Sequence, residues 1–195
     1  MPQITCDSLM TLEAYAKARP EFRARVMAHK KSRQLQLGDH VTLLFEDALT
    51  MQYQVQEMLR LERMFEPEPI QEELDVYNPL IPDGSNWKAT MMIEYTDIAE
   101  RQRMLAELTG IEDRVWMQIA GHERVYAIAD EDLDRATDEK TSAVHFLRFE
   151  LTPVMIAALR RGADLSGGVD HPRYSAVVSP VPPKVHGELL RDLKG

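Results

Sequence analysis

Apolar residues recur along this chain at two periods. At the helical period of 3.6, Phe22, Val26 and His29 share one face of a helix expected over 11–33. That helix is expected to break at "ARPEF", because Pro20 suits a first helical position, where its missing N–H costs nothing. Met51, Val55, Met58, Leu59 and Phe65 repeat the pattern in "TMQYQVQEMLRLERMF". A shorter helix, "IQEELDVY", follows Pro67 and Pro69 and stops before Pro79. "DIAERQRMLAELTG" carries Asp97 and Glu100 at capping-box spacing and Gly110 as a stop. Thr152 and Pro153 open a helix that Gly162 ends, and "PPKVHGELLRDLKG" predicts a terminal helix.

Between these lie stretches with the period of two. "LQLGDHVTLLFED" predicts two short strands around Gly38-Asp39, and "WKATMMIEY" a third. "RVWMQIAGHERVYAIA" predicts a hairpin turning at Ala120–Glu123, and "GGVDHPRYSAVVSP" further short strands. In "EKTSAVHFLRFEL" (139–151) one face carries Thr141, Ala143, His145, Leu147, Phe149 and Leu151; the other carries Arg148 and Glu150. No sustained βαβα alternation is present, which argues against a doubly wound parallel sheet. The pattern predicts an α+β fold: a mainly antiparallel sheet of roughly five to seven strands, with helices packed on one face. One domain is expected over 1–195. In it, 1–80 form a largely helical layer with a short β element, 87–180 the main sheet and 182–195 the C-terminal helix.

Composition changes this picture little: 44% hydrophobic and 28% charged residues are ordinary for a globular protein. Charge changes it more. A net charge of −9 disfavours nucleic acid as a partner, because binding a phosphate backbone needs cationic surface. The charge is also uneven. Lys17, Arg19, Arg23, Arg25, Lys30, Lys31 and Arg33 are interrupted only by Glu21, whereas Glu46–Asp75 is strongly acidic. Such asymmetry points to a docking surface for an acidic partner, with Arg23, Arg25, Lys30 and Lys31 as candidate contacts, or to two solvated helix faces. Cys6 is the single cysteine, so an internal disulfide is excluded and a reducing compartment is expected. "MPQITCDSLM" lacks the regions of a signal peptide. The longest apolar run, Val154–Leu159, is far short of the ~20 residues of a membrane span. A cytoplasmic protein without membrane contact is the expectation.

Phosphate-binding glycine loops, a nucleophile elbow and zinc-protease spacing are all missing from the sequence. "DGSN" at 83–86 lacks the later calcium-loop positions and predicts a turn. No glutamate is followed three residues later by histidine, which argues against a carboxylate-bridged di-iron site. The residues therefore imply no particular cofactor or metal. Two histidines stand out. His145 sits mid-strand among apolar residues, and His171 sits in "GVDHPRY" between Asp170 and Pro172. A buried imidazole needs partners for both ring nitrogens. His145 is thus a satisfied core histidine or one wall of a pocket shared with His171, with Asp170 as the orienting carboxylate. Arg148 and Glu150, at i and i+2 on a strand, point the same way. They form an exposed charge ladder or a grip on a carboxylate or phosphate.

The strings "RPEFRARV", "GDHVTLLFED", "QEMLRLERMF", "EELDVYNPLIPDGSN", "GIEDRVW", "ADEDLDRATDEKTSAVHFLRFEL" and "VDHPRY" resemble a bacterial domain-of-unknown-function family, number three thousand five hundred and one. The resemblance runs from about residue 8 to the C-terminus and brings no catalytic or binding residue with it. It implies a genomic setting beside rubrerythrin-like and iron–sulfur oxidoreductase proteins. That setting implies a role in peroxide or electron-transfer metabolism and a redox protein as partner. Three functions follow in order: a non-catalytic accessory or binding protein in a redox context; an adaptor docking an acidic partner through 17–33; and an enzyme using His145, His171, Asp170 and Glu150. A homodimer is the base-rate expectation.

Overall fold

The computed structural model describes residues 3–131 and 140–194. Glu139 of the expected strand and Gly195 of the expected terminal helix lie outside the described residues. Alternation builds the strands as expected. In β1 (Gln34–Leu37) both leucines are buried and both glutamines exposed. The chain turns through Gly38 into β2 (Val41–Phe45), which is buried along both faces. The remaining strands are β3 (Asn86–Ile93), β4 (Val115–Ile119), β5 (Arg124–Tyr126), β6 (Ile128–Ala129), β7 (Val144–Glu150), β8 (Leu165–His171) and β9 (Tyr174–Val178). Every pairing is antiparallel, and with the helices this is the α+β class read from the sequence.

The strands divide between two sheets, in the orders β1-β2-β3-β7-β6 and β5-β4-β8-β9. The division happens inside one continuous stretch. Arg124–Tyr126 pair with β4, and the Ala127 amide still donates to Val115 O at 2.9 Å. Ile128 and Ala129 then pair with Arg148 and Leu147 of the other sheet. A strand that switches sheets in this way makes a corner. At the opposite corner the Tyr174 hydroxyl, on β9, donates to Leu37 O at 2.6 Å and accepts from the His40 amide at 3.0 Å.

The core lies between the sheets. Leu35, Leu43, Phe45, Trp87 and Met91 from one meet Val115, Met117, Leu165 and Val169 from the other. Phe45, Trp87 and Phe149 are fully buried. Each such side chain contributes about 1.5–3 kcal/mol, enough to decide which face of its strand turns inward. The Trp87 indole N–H donates to Leu189 O at 2.9 Å, fixing the C-terminal helix α6 (Pro183–Arg191) to the core.

The helical region begins with α1 (Leu12–Lys30), which runs through Pro20 without the expected break. An interior proline costs roughly 3 kcal/mol. Here the helix is held on both sides of it: Tyr15, Phe22 and Val26 pack with Tyr53, and Arg19 pairs with Glu57. Tyr53 and Glu57 lie on α2 (Ala48–Glu62), whose N-cap Asp47 accepts from the Thr50 amide at 2.9 Å. α3 (Pro67–Tyr77) starts at Pro67, ahead of the expected "IQEELDVY", because a first turn needs no N–H from its prolines. α4 (Ile98–Glu107) and α5 (Pro153–Arg160) begin at the predicted caps Asp97 and Thr152. Among the described residues no helix is long and apolar enough to cross a membrane.

One buried cation ties the helices to the sheets. Arg33 is 1% exposed; its guanidinium donates to Phe45 O at 2.9 Å and Glu46 O at 3.1 Å, and pairs with Asp192. Asp47 and Glu188 stand 3.5 and 3.8 Å from its Nη1.

Candidate functional site

On β3 the inward positions are Trp87, Ala89, Met91 and Ile93, so the alternate positions Lys88, Thr90 and Met92 turn to the outer face and stay half-buried. β7 repeats this arrangement, with His145, Leu147 and Phe149 buried. The register sets Lys88 directly beside Arg148, and Thr90 beside Phe146. Over this face runs the end of α3 and the turn Asn78–Leu80. The Asn78 side chain anchors that turn, accepting from the Ile4 amide at 2.9 Å and donating to Ile4 O at 3.0 Å.

Between turn and sheet is a cleft of about 320 Å3. Val76, Pro79 and Leu80 form one wall and Phe146 and Leu147 the other, with Asp75, Lys88, Glu131 and Arg148 as its polar groups. Lys88 also borders an adjoining cavity of about 340 Å3 beside Ile81, Pro82 and Asp83. A cleft of this size falls at the small end of ligand pockets, about 300–1,000 Å3.

The two cations of the cleft differ in their commitments. Arg148 donates to both Glu131 oxygens at 2.8 Å and to Glu150 at 2.5 Å. These hydrogen bonds, Glu131 first, raise its pKa and hold it charged, while Arg148 in turn lowers that of Glu131. Glu150 also accepts from Ser85 Oγ at 3.1 Å and Asn86 Nδ2 at 3.3 Å. The Lys88 amine has no hydrogen bond or ion pair among the described residues. Burial, and after it the positive charge of Arg148, lower the pKa of its amine against the opposing pull of Glu131, Asp83 and Glu150. A half-buried amine without a partner, in a cleft and with a displaced pKa, is a candidate binding or reactive group.

The histidines take other positions. His145 is fully buried, its Nδ1 2.5 Å from Asp130 Oδ2 and its Nε2 2.8 Å from Thr141 Oγ1 and 3.0 Å from Ser142 O. Thr141 Oγ1 donates onward to Glu112 at 3.1 Å. Both ring nitrogens of His145 thus have partners within the fold. His171 belongs to the other sheet, where Nε2 lies 3.2 Å from Thr109 O and Nδ1 accepts from the Arg173 amide at 3.2 Å. The two rings share no partner. Asp170 does not orient His171, because neighbouring strand residues face opposite ways. It accepts instead from Tyr126 Oη at 2.7 Å and Arg124 at 3.1 Å. No group of three or more histidine, cysteine or acidic residues is placed to hold a metal among the described residues.

On α1 Arg23 and Arg25 are exposed and Lys30 is half-buried, and Lys31, the C-cap residue just after it, is exposed. Arg25 lies 4.9 Å from the Phe22 ring centre and Lys30 Nζ 5.8 Å from that of Tyr53. None of the four forms an ion pair among the described residues. Of the candidate residues, the structure brings Arg148 to the cleft lining, with Glu150 behind it as its hydrogen-bond partner. Lys88 could be seen in the sequence as the one charge in "WKATMM", but nothing there showed that it stands beside Arg148.

Fold and site together define an α+β protein with two antiparallel sheets around one core and a lysine-bearing cleft under α3. The chain belongs to the family described as "Protein of unknown function (DUF3501)", whose sequence model matches residues 3–193. It is similar to a crystal structure of a novel protein of unknown function from Burkholderia pseudomallei K96243. That protein is 54% identical, with a TM-score of 0.94, and the match covers 99% of this chain and 100% of the other. No curated protein matches.

Proposed function

We infer that this is a binding protein for a small, uncharged, largely apolar molecule held in the Lys88 cleft. The observation that carries the reading is a half-buried amine without a partner, facing apolar walls in a cleft of ligand size. Charge selects the ligand. Asp75 and Glu131 offset Lys88 and Arg148 within the lining, and Asp83 and Glu150 stand close by. Such surroundings hold no net positive charge for an anionic head group, whereas Val76, Leu80 and Phe146 offer apolar contact. Saturation-transfer NMR with hexanol tests this. Binding is expected in the native protein and lost in Leu80→Trp, which fills the cleft. Equal transfer in a folded Leu80→Trp protein would place the site elsewhere.

A second reading has its own observation: the unpaired cations Arg23, Arg25, Lys30 and Lys31 suit an acidic partner, and the redox protein implied by the resemblance would dock there. Capture of such a partner should weaken as salt rises and disappear when the four are neutralised. The enzyme reading built on His145, His171 and Asp170 is not carried forward, since their side chains have separate partners.

A further inference from the structure

Resting on that reading, we propose that the ligand is a carbonyl compound, an aldehyde or ketone with an apolar chain, and that Lys88 captures it as a Schiff base. The amine borders the cleft and is committed to no acceptor. Its neighbour across the strand pair is a cation that Glu131 and Glu150 fix in place, so the charge beside it is permanent. A lysine desolvated in an apolar pocket next to another cationic group is the arrangement that activates an amine as a nucleophile. The lowered pKa of Lys88 agrees with it. The facing walls, Val76 and Leu80 on one side and Phe146 on the other, would receive the chain attached to the carbonyl carbon.

The chemistry balances without an oxidant or reductant. The unprotonated amine attacks the carbonyl carbon; a C–N bond forms and the C=O π pair moves to oxygen. The nitrogen passes one proton to the oxygen, giving the carbinolamine; the oxygen takes up a second proton and leaves as water, the C–O bond breaking as the nitrogen lone pair forms the C=N bond. The product is the iminium, and loss of the second nitrogen proton gives the imine. Solvent water, which the open cleft admits, carries these protons.

The experiment uses the full chain, limiting hexanal and cyanoborohydride, with peptide mapping by mass spectrometry. Lys88 should be alkylated several-fold ahead of Lys17, whose side chain is 76% exposed. Lys88→Arg and Lys88→Met, each checked for folding by circular dichroism, should lose the adduct at this position and leave that at Lys17. Labelling of Lys88 no faster than Lys17 overturns the proposal. Hexanol separates the two levels of the argument. If hexanol binds the cleft and Lys88 is not preferred, the carbonyl inference fails and the binding reading stands. If hexanol does not bind and Lys88 is not preferred, both fail.

Discussion

Replacing Arg33 by methionine tests how the helices are joined to the sheets. The side chain is 1% exposed, and Asp192, its ion-pair partner, is 3% exposed. Methionine fills much of the same volume but leaves the Asp192 carboxylate, Phe45 O and Glu46 O without their donors. Removing one member of a buried pair costs about 3–5 kcal/mol, because the remaining charge is uncompensated. For a chain of this size that lowers Tm by roughly 6–20 °C, at about 2–4 °C per kcal/mol. Urea unfolding followed by circular dichroism measures it. The pH dependence identifies the cause. Burial raises the pKa of Asp192 to about 6 against the lowering pull of Arg33, with Asp47 and Glu188 raising it further. A folded-state value above the ordinary 3.8 means that the folded protein holds a proton the unfolded chain has lost. This contribution to stability is fully present below that ordinary value and is lost as pH rises through about 6. In Arg33→Met the lowering pull is gone, so the gap from native should be widest near pH 7 and shrink toward pH 5, as Asp192 takes up its proton. A loss below about 1 kcal/mol near pH 7, the scale of an exposed pair, would refute this account. So would a gap that does not change with pH.

Three further outcomes are expected. Gly38→Ala should destabilise by about 1–3 kcal/mol in thermal unfolding, because φ is 69° and a Cβ would meet Tyr174 Oη at 2.6 Å. His145→Leu strips Asp130 and Thr141 of their ring contacts and should cost about 1.5–3 kcal/mol for the bond to the carboxylate alone, with little change expected in cleft binding by NMR. Hydrogen bonds from Arg19, then Tyr15 and Arg60, lower Glu57 to about 2 against the opposing push of burial. The stability this gives is present above the ordinary value of 4.5 and lost as pH falls through about 2. Glu57→Gln should therefore differ most from native near neutral pH, and denaturant titrations should converge as acid is added.

The elements were legible in the sequence because each rests on local chemistry. Asp97 and Thr152 cap helices as their spacing says, and the alternation at 144–150 turns His145 inward and Arg148 outward. Pro20 misled, because what carries α1 through it is contact with Tyr53 and Glu57, distant in sequence. The two sheets were not legible either: 124–129 has the pattern of one strand, and only its pairing shows that the partner changes at Ala127. The cleft depends on the same kind of information. Lys88 meets Arg148 through strand register, and Val76 and Leu80 come over them because Asn78 is tied to Ile4. Pairings set by tertiary structure leave no periodic trace.

The shared segment 124–129 also bears on solubility. A sheet edge with unpaired amides and carbonyls invites another chain to add to it. Here, among the described residues, two of the four edges belong to one short run of chain, with strands of three and two residues. The other two, β1 and β9, are drawn together by the Tyr174 hydroxyl. Little ordered edge is left on which an aggregate could template. A Tyr174→Phe protein, with that fastening removed, would be expected to open along β1 and β9 before anywhere else in the sheets.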